Sequence, residues 1–356
     1  MDEPVRYGVI GCAGVGNRHA ESVRAAERVE LVACADVDPE AAMNFAEEHG
    51  VAETYEDAAA MIEGSDVDAV SVCTPSGTHA DVVVEAAEAG AHVLCEKPLD
   101  VYADRMDRAV EACDAAGVTL AGVFQKRFDP ANRRAKGAME DGELGKPVLG
   151  DTTQKWFRSQ PYYDQADWRG TRDMDGGALM NQAIHKIDLL AWLMGGVESV
   201  RAITANVDRD LECEDTAAIA LEFENGAVGT IEGTTAVKGG DSKTELNGTE
   251  GSLTIGNAGI THFEVGTGEE SHYGAETESR EGAGSESEFG ENHEAVVADF
   301  VGALLADREP AVTGREARHA VDIILAAYAA DADGESVDVA DVREGRIDHP
   351  EVREDG

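Results

Sequence analysis

A lysine at the end of an apolar segment is the side chain in this sequence best placed for proton transfer. Lys97 follows the segment His92–Cys95 and precedes Pro98. Proline restricts the residue before it to extended conformations, so a strand should end at Lys97 and a helix should begin near Asp100. Open α/β sheets bind ligands beyond the carboxyl ends of their strands. The sequence therefore predicts an amine at the ligand-binding edge of a sheet.

A loop containing several glycines follows the first apolar segment. It reads Gly11-Cys12-Ala13-Gly14-Val15-Gly16, with Ala13 in the position of the middle glycine. Glycines at this spacing let the backbone approach a pyrophosphate at the N-terminus of the next helix, although a purely structural turn is the alternative. Asp36 ends the second segment, where a carboxylate accepts hydrogen bonds from an adenosine ribose. Val37 offers nothing to a 2′-phosphate, so the pattern favours NAD over NADP.

The third apolar segment ends in a cluster of turn residues. This cluster, Cys73-Thr74-Pro75-Ser76-Gly77-Thr78-His79, should lie at the same sheet edge as the glycine loop. Its polar groups could line a dinucleotide or could merely close a turn. The residues alone leave both interpretations open.

A helical segment in the second half carries three polar residues at helical spacing. Asn181, His185 and Asp188 are four and three positions apart, which places them on one face of an α-helix. His185 could be a buried core histidine, or it could face a substrate hydroxyl with Asn181 or Asp188 fixing its orientation. Tyr162-Tyr163 and Trp168-Arg169 precede this helix and suit a sugar ring or a phosphate, although core packing explains the aromatic residues equally well.

Strand-like and helical segments alternate up to residue 125. Alternation of this kind predicts parallel βαβ units and therefore a Rossmann-like, doubly wound parallel sheet in residues 1–125. The five predicted strands are 7–10, 29–35, 69–73, 92–95 and 118–124.

The pattern changes in residues 126–356. Helices are predicted at 130–140, 178–194, 293–305 and 315–330, and strands at 216–223 and 227–234. The dipeptides Asn225-Gly226 and Asn247-Gly248 are hairpin signals, which indicates a second, α+β domain with a large open-faced, mostly antiparallel sheet.

The composition is strongly acidic. The 356 residues include 72 acidic and 29 basic side chains, for a formal net charge of −43. This charge argues against a nucleic-acid partner and indicates a salt-rich cytoplasm, such as that of a halophile, because concentrated salt screens self-repulsion. The acid-rich region 266–294 is interpreted as a solvated loop or insertion.

Three further features bear on where the chain works. No apolar run is long enough to span a bilayer, and the N-terminus lacks the basic start of a signal peptide, so we expect a cytoplasmic protein without a membrane partner. The six cysteines are widely spaced, and buried reduced thiols are favoured over disulfides or a zinc site. No metal is expected.

Taken together, several motifs resemble the Gfo/Idh/MocA family of sugar and cyclitol oxidoreductases. They are GVIGCAGVGNRH, VACADVDP, VCTPSGTH, VLCEKPL and GGALMNQAIHKIDLLAWLMG, and the similarity continues through FQKRFDPANRR, YYDQADWRG and the closing HEAVVADFVGALLADREP. The MNQ and CTPSGTH forms are similar to the branch that oxidises the 3-hydroxyl of nucleotide-linked sugar acids. Many members carry aspartate where this chain has Asn181.

The resemblance implies specific roles. Lys97 would act as acid and base beside the nicotinamide, and His185 would be the family's substrate-binding histidine and the second catalytic residue. Asn181 cannot accept a proton, which leaves Lys97 and His185 as the titrating pair. The cofactor-binding candidates are Gly11, Ala13, Gly14, Val15, Gly16, Asp36, Thr74, Pro75, His79, Glu96, Lys97 and Gln125. The substrate-binding candidates are Lys97, Arg127, Tyr163, Trp168, Arg169, Asn181 and His185.

The implied activity is hydride transfer between NAD(P) and a secondary hydroxyl of a sugar, cyclitol or nucleotide-sugar acid, in a homodimer or homotetramer built through the second sheet. Lys97 would take the hydroxyl proton. An unperturbed lysine, with a pKa of about 10.4, is protonated at neutral pH, so burial and the positive nicotinamide should lower its pKa. Two alternatives are an NAD-dependent glycosidase that works by transient oxidation and elimination, and a non-catalytic NAD-sensing protein.

Overall fold

A computed structural model of the chain describes residues 3–266 and 287–347. The strands in these residues are β1 (Val5–Ile10), β2 (Val29–Ala35), β3 (Glu53–Tyr55), β4 (Ala69–Val72), β5 (His92–Cys95), β6 (Leu120–Gly122), β7 (Pro147–Lys155), β8 (Val197–Ala205), β9 (Thr216–Phe223), β10 (Val228–Thr234), β11 (Lys243–Gly248), β12 (Gly251–Gly256), β13 (Gly259–Val265) and β14 (Val337–Asp338). The α-helices are α1 (Val15–Ala25), α2 (Pro39–His49), α3 (Ala58–Ser65), α4 (His79–Glu88), α5 (Ala103–Ala116), α6 (Pro130–Glu140), α7 (Gln160–Tyr163), α8 (Ile184–Met194), α9 (Ser287–Ala306), α10 (Gly314–Ala317), α11 (His319–Asp333) and α12 (Val339–Arg343).

The described residues form two compact units. Residues 3–125 and 287–318 form the first unit, and residues 126–266 and 319–347 form the second. The sequence assigned 287–318 to the second domain, but this segment packs with the first unit. The reason is helix α9, which packs against α1 and sets the Phe300 ring edge-on to the Tyr7 ring, 6.4 Å between centroids.

A six-stranded parallel sheet organises the first unit. Its strand order is β3-β2-β1-β4-β5-β6, so the order reverses between β1 and β4. All four residues of β4 are buried, as expected for a parallel sheet that is covered on both faces. The predicted Rossmann fold is confirmed. Strand β3 was not predicted, because three residues at an exposed sheet edge carry no periodic apolar signal.

An eight-stranded sheet organises the second unit. The strand order is β13-β12-β11-β7-β10-β9-β8-β14, and every pair is antiparallel except β7 with β10. Buried and exposed residues alternate along β9, because helices cover one face of the sheet and leave the other open. The predicted mostly antiparallel sheet is confirmed.

The two hairpin signals have different outcomes. At Asn225-Gly226 the turn lies where it was predicted, since Gly226 has a positive φ of 79° and the Asn225 side chain accepts a hydrogen bond from the backbone of Ala227. The second hairpin also exists, but Gly248 still pairs with β7 and the turn falls at Thr249 and Glu250.

The predicted helix 178–194 consists of two kinds of helix. Residues Ala178–Ala183 form a π-helical turn, and the α-helix α8 begins only at Ile184. The wider turn contains one more residue than an α-helical turn, so α-helical spacing does not hold from Asn181 to His185. The expectation that these residues share one α-helical face is therefore wrong at Asn181.

The remaining expectations concern the acid-rich region and the cysteines. Most of region 266–294 lies outside the described residues, but its end is helical from Ser287 onward and is not a loop. All six cysteines are buried and free, which confirms the prediction of reduced thiols. In residues 3–266 and 287–347, no helix has the length and apolar character that a membrane span requires.

Candidate active site

The glycine loop connects β1 to α1 in a conformation that only small residues allow. A Cβ atom on Gly16 would lie 2.0 Å from the carbonyl oxygen of Gly11, so a side chain cannot be accommodated there. Gly14 precedes α1 with a φ of 52°, and no described atom lies within 4 Å of the position its Cβ would take. The loop thus leaves open space in front of the first N–H groups of a helix, where a phosphate can bind.

Asp36 lies directly after β2 and is tied to this loop. Its Oδ2 atom accepts a hydrogen bond from the backbone N–H of Cys12 at 2.8 Å, and its Oδ1 atom accepts one from Asp38 at 2.9 Å. The carboxylate is half-buried and each oxygen keeps a second lone pair for a ligand hydroxyl. Val37 is 90% exposed. The structure therefore brings Asp36 and the glycine loop together, as predicted.

The cluster after β4 is joined to the lysine segment through His79. Both ring nitrogens of His79 lie 2.7 Å from backbone carbonyl oxygens, those of Thr74 and Pro98. His79 is 1% exposed. The ring thus links the loops that follow β4 and β5, and its predicted contact with a cofactor remains a prediction. Thr74 accepts a hydrogen bond from the Thr78 hydroxyl, which closes the turn around Pro75.

Lys97 lies two residues beyond β5, at the carboxyl edge of the parallel sheet. Its side chain is half-buried, and the Lys97–Pro98 peptide bond is cis. Strand β5 ends at Cys95, and helix α5 begins at Ala103 rather than near Asp100, because Asp100 accepts the backbone N–H groups of Val101 and Tyr102 and holds them in a turn.

Glu96 points into a buried polar network next to Lys97. Its Oε2 atom accepts the backbone N–H of Lys97 at 3.1 Å, and its Oε1 atom lies 3.1 Å from His19 Nε2 and 3.4 Å from His293 Nε2. Burial would raise the pKa of Glu96, but hydrogen bonds from both imidazoles outweigh it and hold the pKa well below its usual range. A direct cofactor contact by Glu96 remains a prediction.

The network continues from His19 to the core of the sheet. His19 Nδ1 lies 2.7 Å from the Ser71 hydroxyl, which in turn lies 2.8 Å from the Tyr7 hydroxyl. If Tyr7 donates to Ser71 and Ser71 to His19 Nδ1, a neutral His19 keeps its Nε2 proton for Glu96. Burial lowers the pKa of His19, which favours this neutral form.

His19 and His293 belong to this network, although neither was predicted as a site residue. The ligand atoms of His19, Glu96 and His293 all lie within 4.8 Å of one another, a spacing that could also hold a metal ion. The hydrogen bonds already satisfy these atoms. The helical spacing of Gly16, His19, Ala20 and Val23, which share the buried face of α1, is the sequence signal that could have located His19.

Gln125 provides a buried acceptor after β6. It is 3% exposed, and its Oε1 atom is buried and accepts no hydrogen bond from the described residues. A buried acceptor of this kind is normally paired, so a ligand donor is its natural partner. The open space at Gly14, the carboxylate of Asp36 and this orphaned acceptor all lie at one sheet edge and fit a dinucleotide.

In the second unit, Asn181 and His185 lie on the π-helical turn and on α8 respectively. Asn181 donates to the carboxylate of Asp175 and accepts from the Gln182 amide. Asp188 forms a two-point ion pair with Arg127, at 2.6 and 3.0 Å, and both side chains are buried. Asp188 thus binds Arg127, and its alternative role of orienting His185 remains a prediction.

Glu214 holds the start of the helical segment that carries Asn181 and His185. Its Oε1 atom accepts the backbone N–H of Leu179 at 2.8 Å, and the Tyr328 hydroxyl lies 3.1 Å from both carboxyl oxygens. Burial raises the pKa of Glu214 to about 7. Glu214 was not among the predicted site residues, because one glutamate in so acidic a chain carries no local signal.

Lys186 is a second residue that the sequence analysis missed. It follows His185 directly, and burial, reinforced by the nearby charge of Lys126, lowers its pKa to about 8. A lysine with such a pKa can exchange protons near neutral pH. Its position beside His185 was visible in the sequence, but its burial was not.

The aromatic candidates before the π-helical turn have separate environments. The Tyr163 side chain is buried and its hydroxyl donates to Thr235 at 3.0 Å. Arg169 stacks on Trp168 and on Tyr162, with its guanidinium carbon 4.7 and 4.5 Å from the ring centroids. Tyr163 thus binds Thr235, directly after β10, while Trp168 and Arg169 are half-buried. The substrate contacts of all three residues remain predictions.

The fold and these sites define a dinucleotide-binding oxidoreductase of two units. A family model described as "Oxidoreductase family, NAD-binding Rossmann fold" matches residues 5–124, and one described as "GFO/IDH/MocA C-terminal domain" matches residues 132–254.

Individual proteins are similar over most of the chain. The myo-inositol 2-dehydrogenase of Thermotoga maritima is 33% identical over 71% of this chain and 75% of its own. The D-xylose 1-dehydrogenase (NADP(+)) 2 of Haloferax volcanii is 33% identical over 64% of this chain and 68% of its own. The crystal structure of the WlbA dehydrogenase from Bordetella pertussis in complex with NADH and UDP-GlcNAcA has a TM-score of 0.86 at 33% identity, covering 95% and 98% of the two chains. The chain therefore belongs to the Gfo/Idh/MocA family of oxidoreductases.

Proposed function

We propose that this protein is an NAD-dependent dehydrogenase that oxidises a secondary hydroxyl of a sugar-like substrate, with Lys97 as the proton acceptor. The observation that carries the proposal is the position of Lys97. Its half-buried side chain follows β5 at the same carboxyl edge as the glycine loop, Asp36 and Gln125. Ligands of doubly wound sheets bind at this edge, beside the reversal of strand order.

The first unit supplies the cofactor-binding groups. The backbone of residues 11–16 would hold the pyrophosphate, Asp36 the adenosine ribose, and Thr74, Pro75 and Gln125 the remainder of the dinucleotide. When bound, the nicotinamide exchanges a hydride with the substrate carbon. NAD is favoured over NADP because of the residues that follow β2. Asp36 and Asp38 repel a 2′-phosphate, and Val37 offers it no hydrogen bond.

Two side chains would contact the reacting hydroxyl. Lys97 takes its proton during oxidation and returns it during reduction, while His185 hydrogen-bonds the substrate and orients it. Because Asn181 is an amide, it positions its neighbours without accepting a proton. Arg127, bound to Asp188, would support α8 rather than touch substrate.

The decisive experiment replaces the amine. Lys97→Met should lower turnover by at least about a hundredfold, since general base catalysis contributes about 10²- to 10⁴-fold, and should leave NADH binding intact. Lys243→Met is the matched control, because Lys243 lies on an exposed part of β11. Retained turnover in Lys97→Met with normal NADH binding would exclude the proposed role.

The substrate class follows from a panel assayed with NAD and NADP in parallel. It contains inositols and free aldoses, on which the named relatives act, and UDP-linked N-acetylated sugar acids, which the similar WlbA structure contains. Reduction of the nicotinamide is followed by absorbance.

For His185→Ala we expect a higher KM together with lower turnover.

The protein would act as a cytoplasmic homo-oligomer. Six buried, free cysteines fit a reducing compartment. The uncovered face of the second sheet carries exposed apolar residues at paired positions, among them Ile203 opposite Ala218, and Val228 opposite Leu149 on β7. A second copy of the same chain is the partner that this face would bind.

A further inference from the structure

We propose that three arginines of the second unit, Arg158, Arg169 and Arg209, bind an anionic group on the substrate, so that the enzyme prefers an acidic or phosphorylated sugar to a neutral one. The inference rests on the proposed dehydrogenase function and specifies its substrate class. We refer to these three residues as the arginine cluster.

Aromatic rings hold the arginine cluster in place. The guanidinium carbons of Arg158 and Arg169 each lie 4.5 Å from the centroid of the Tyr162 ring. Arg169 Nη1 also donates to the Tyr162 hydroxyl at 2.6 Å. Arg209 stacks on Phe157 at 5.2 Å and donates its Nε proton to the backbone carbonyl of Arg158 at 2.7 Å. Stacking on rings fixes the planes of the guanidinium groups without using all of their N–H donors.

Each member of the cluster has a buried N–H group that lacks an acceptor in the described part of the chain. These groups are Nε of Arg158, Nε of Arg169 and one terminal nitrogen, Nη2, of Arg209. Buried donors on charged side chains are costly to leave unsatisfied, and nearly all are paired in folded proteins. Three in one cluster indicate that a ligand supplies the acceptors.

The charges around the cluster strengthen this argument. The formal net charge is −43, and other arginines bind carboxylates, for example Arg127 with Asp188 and Arg134 with Glu143. Within residues 3–266 and 287–347, Arg158 and Arg169 form no ion pair, and Arg209 pairs only with Asp208, a largely exposed side chain. Arginines that form so few ion pairs in so acidic a chain are available to bind an anion from outside the chain.

The cluster is continuous with the helical segment that carries the substrate-binding candidates. Arg158 Nη2 donates to Gln182 Oε1 at 3.4 Å, and the Gln182 amide donates to Asn181. His185 is the second residue of α8, which directly follows this π-helical turn. An anionic group bound by the cluster would therefore lie beside the residues proposed to bind the sugar. A carboxylate or a phosphoryl group offers the acceptors that a guanidinium prefers.

The test compares charged and neutral forms of the same sugar. Binding of glucose, glucuronate, glucose 1-phosphate and UDP-linked N-acetylglucosaminuronate to the full-length, NADH-loaded protein is measured by calorimetry at one salt concentration. We expect at least one anionic form to bind about tenfold or more tightly than glucose, the gain typical of one charge-assisted hydrogen bond. A preference for glucuronate assigns a carboxylate, and a preference for glucose 1-phosphate assigns a phosphoryl group.

Substitutions then locate the selectivity. Arg158→Met and Arg169→Met should each lower the affinity for the anionic sugars toward the affinity of the same variant for glucose, which abolishes the preference for the anion. Arg134→Met is the matched control, because Arg134 also stacks on an aromatic ring, Phe263, but already binds Glu143. If a methionine variant fails to fold, Arg158→Lys carries the test, since it keeps the charge, loses the planar fork and should retain only part of the preference.

Two results would overturn the inference: equal binding of all four sugars, or an anion preference that survives in both methionine variants. The same titrations on Lys97→Met separate this inference from the proposed function. Selective anion binding there, together with wild-type turnover in that variant, would retain the arginine cluster and reject the catalytic role of Lys97. If turnover depends on Lys97 but the protein shows no preference for anionic sugars, the catalytic role of Lys97 is retained and the role of the arginine cluster is rejected.

Discussion

Asp36 shows how one side chain can serve both the fold and a ligand. Two backbone N–H groups, from Cys12 and Asp38, hold its carboxylate next to the glycine loop. The oxygens retain lone pairs that two ribose hydroxyls can use, and the negative charge disfavours a phosphate in the same place. Under the proposed function, Asp36 is therefore the residue on which the choice between NAD and NADP chiefly depends.

We predict that Asp36→Asn weakens NADH binding by about tenfold and narrows the difference between NADH and NADPH. NADH binds more weakly because the ribose hydroxyls lose charge-assisted hydrogen bonds to Asp36, and about 1.4 kcal/mol corresponds to tenfold in affinity. The difference from NADPH narrows because the 2′-phosphate is no longer repelled by a carboxylate. Fluorescence titration of both cofactors measures the two dissociation constants. An unchanged ratio of the constants would contradict the assignment. Asp129→Asn is the control, because Asp129 caps α6 of the second unit through the backbone N–H of Ala131.

Glu96 links several elements of the first unit, since α1, α9 and the end of β5 meet at its carboxylate. At neutral pH, Glu96→Gln should lower the free energy of unfolding by about 1–3 kcal/mol, because the buried imidazole donors lose a charged acceptor. Glu143→Gln is the control for a glutamate near the surface, where ion pairs contribute about 0–1 kcal/mol.

The pH dependence of the Glu96 effect has a definite sign. Its pKa is lowered in the folded protein, so the stabilisation is fully present above the unfolded pKa of about 4.3 and is lost as the pH falls through the folded value. Urea unfolding of wild type and Glu96→Gln at pH 7 and at lower pH should show the difference shrinking in acid. A difference that grows in acid would be inconsistent with an ionised Glu96.

Glu214 caps the π-helical turn, and its pKa is shifted in the opposite direction. A folded pKa of about 7 means that its contribution is fully present below the unfolded pKa and is lost as the pH rises through about 7. The loss amounts to about 3 kcal/mol, from about 1.4 kcal/mol per pKa unit.

Glu214→Gln keeps an acceptor for Leu179 but cannot ionise. The variant should have nearly the wild-type free energy of unfolding at pH 4, below the unfolded pKa, and should exceed it at pH 8. Urea unfolding of both proteins at the two pH values, in the same salt, measures this. If the two proteins respond identically to pH, Glu214 is not the group that titrates.

The net charge of −43 governs the behaviour of the molecule as a whole. At an ionic strength of 0.1 M charges interact over about 10 Å, whereas at 1 M the distance falls to about 3 Å, so salt should relieve self-repulsion of the folded state. We predict that the urea midpoint rises from 0.1 to 2 M KCl. Sucrose is the uncharged control, and a midpoint that is flat or falls with KCl would reject adaptation to salt.

The open face of the second sheet is the proposed contact between copies. Ile203 is 71% exposed on β8, and an aspartate there would place a charge on the proposed contact face. Ile203→Asp should therefore shift the protein toward the monomer in light scattering after gel filtration. Met43→Asp, at an exposed position on α2, is the control. A wild-type protein that is already monomeric would exclude the interface.

Local patterns in the sequence determined much of the fold. Apolar segments separated by helices predicted five of the six parallel strands, and α6 has the predicted bounds, Pro130–Glu140. The same patterns located Lys97, the glycine loop and Asp36, because each directly follows a strand and the carboxyl ends of parallel strands share one edge. Alternation and the Asn225-Gly226 turn likewise predicted the antiparallel hairpin. These features depend on neighbouring residues, whose conformational preferences the sequence states directly.

Only the tertiary structure decided which distant residues meet. His19 contacts Glu96 across 77 positions, Glu214 reaches Leu179 across 35, and Arg158 and Arg209 come together across 51. The packing of 287–318 with the first unit and the π-helical turn before His185 belong to the same class. Burial, hydrogen-bond satisfaction and pKa shifts depend on partners brought together by the chain's topology, so no local pattern encodes them.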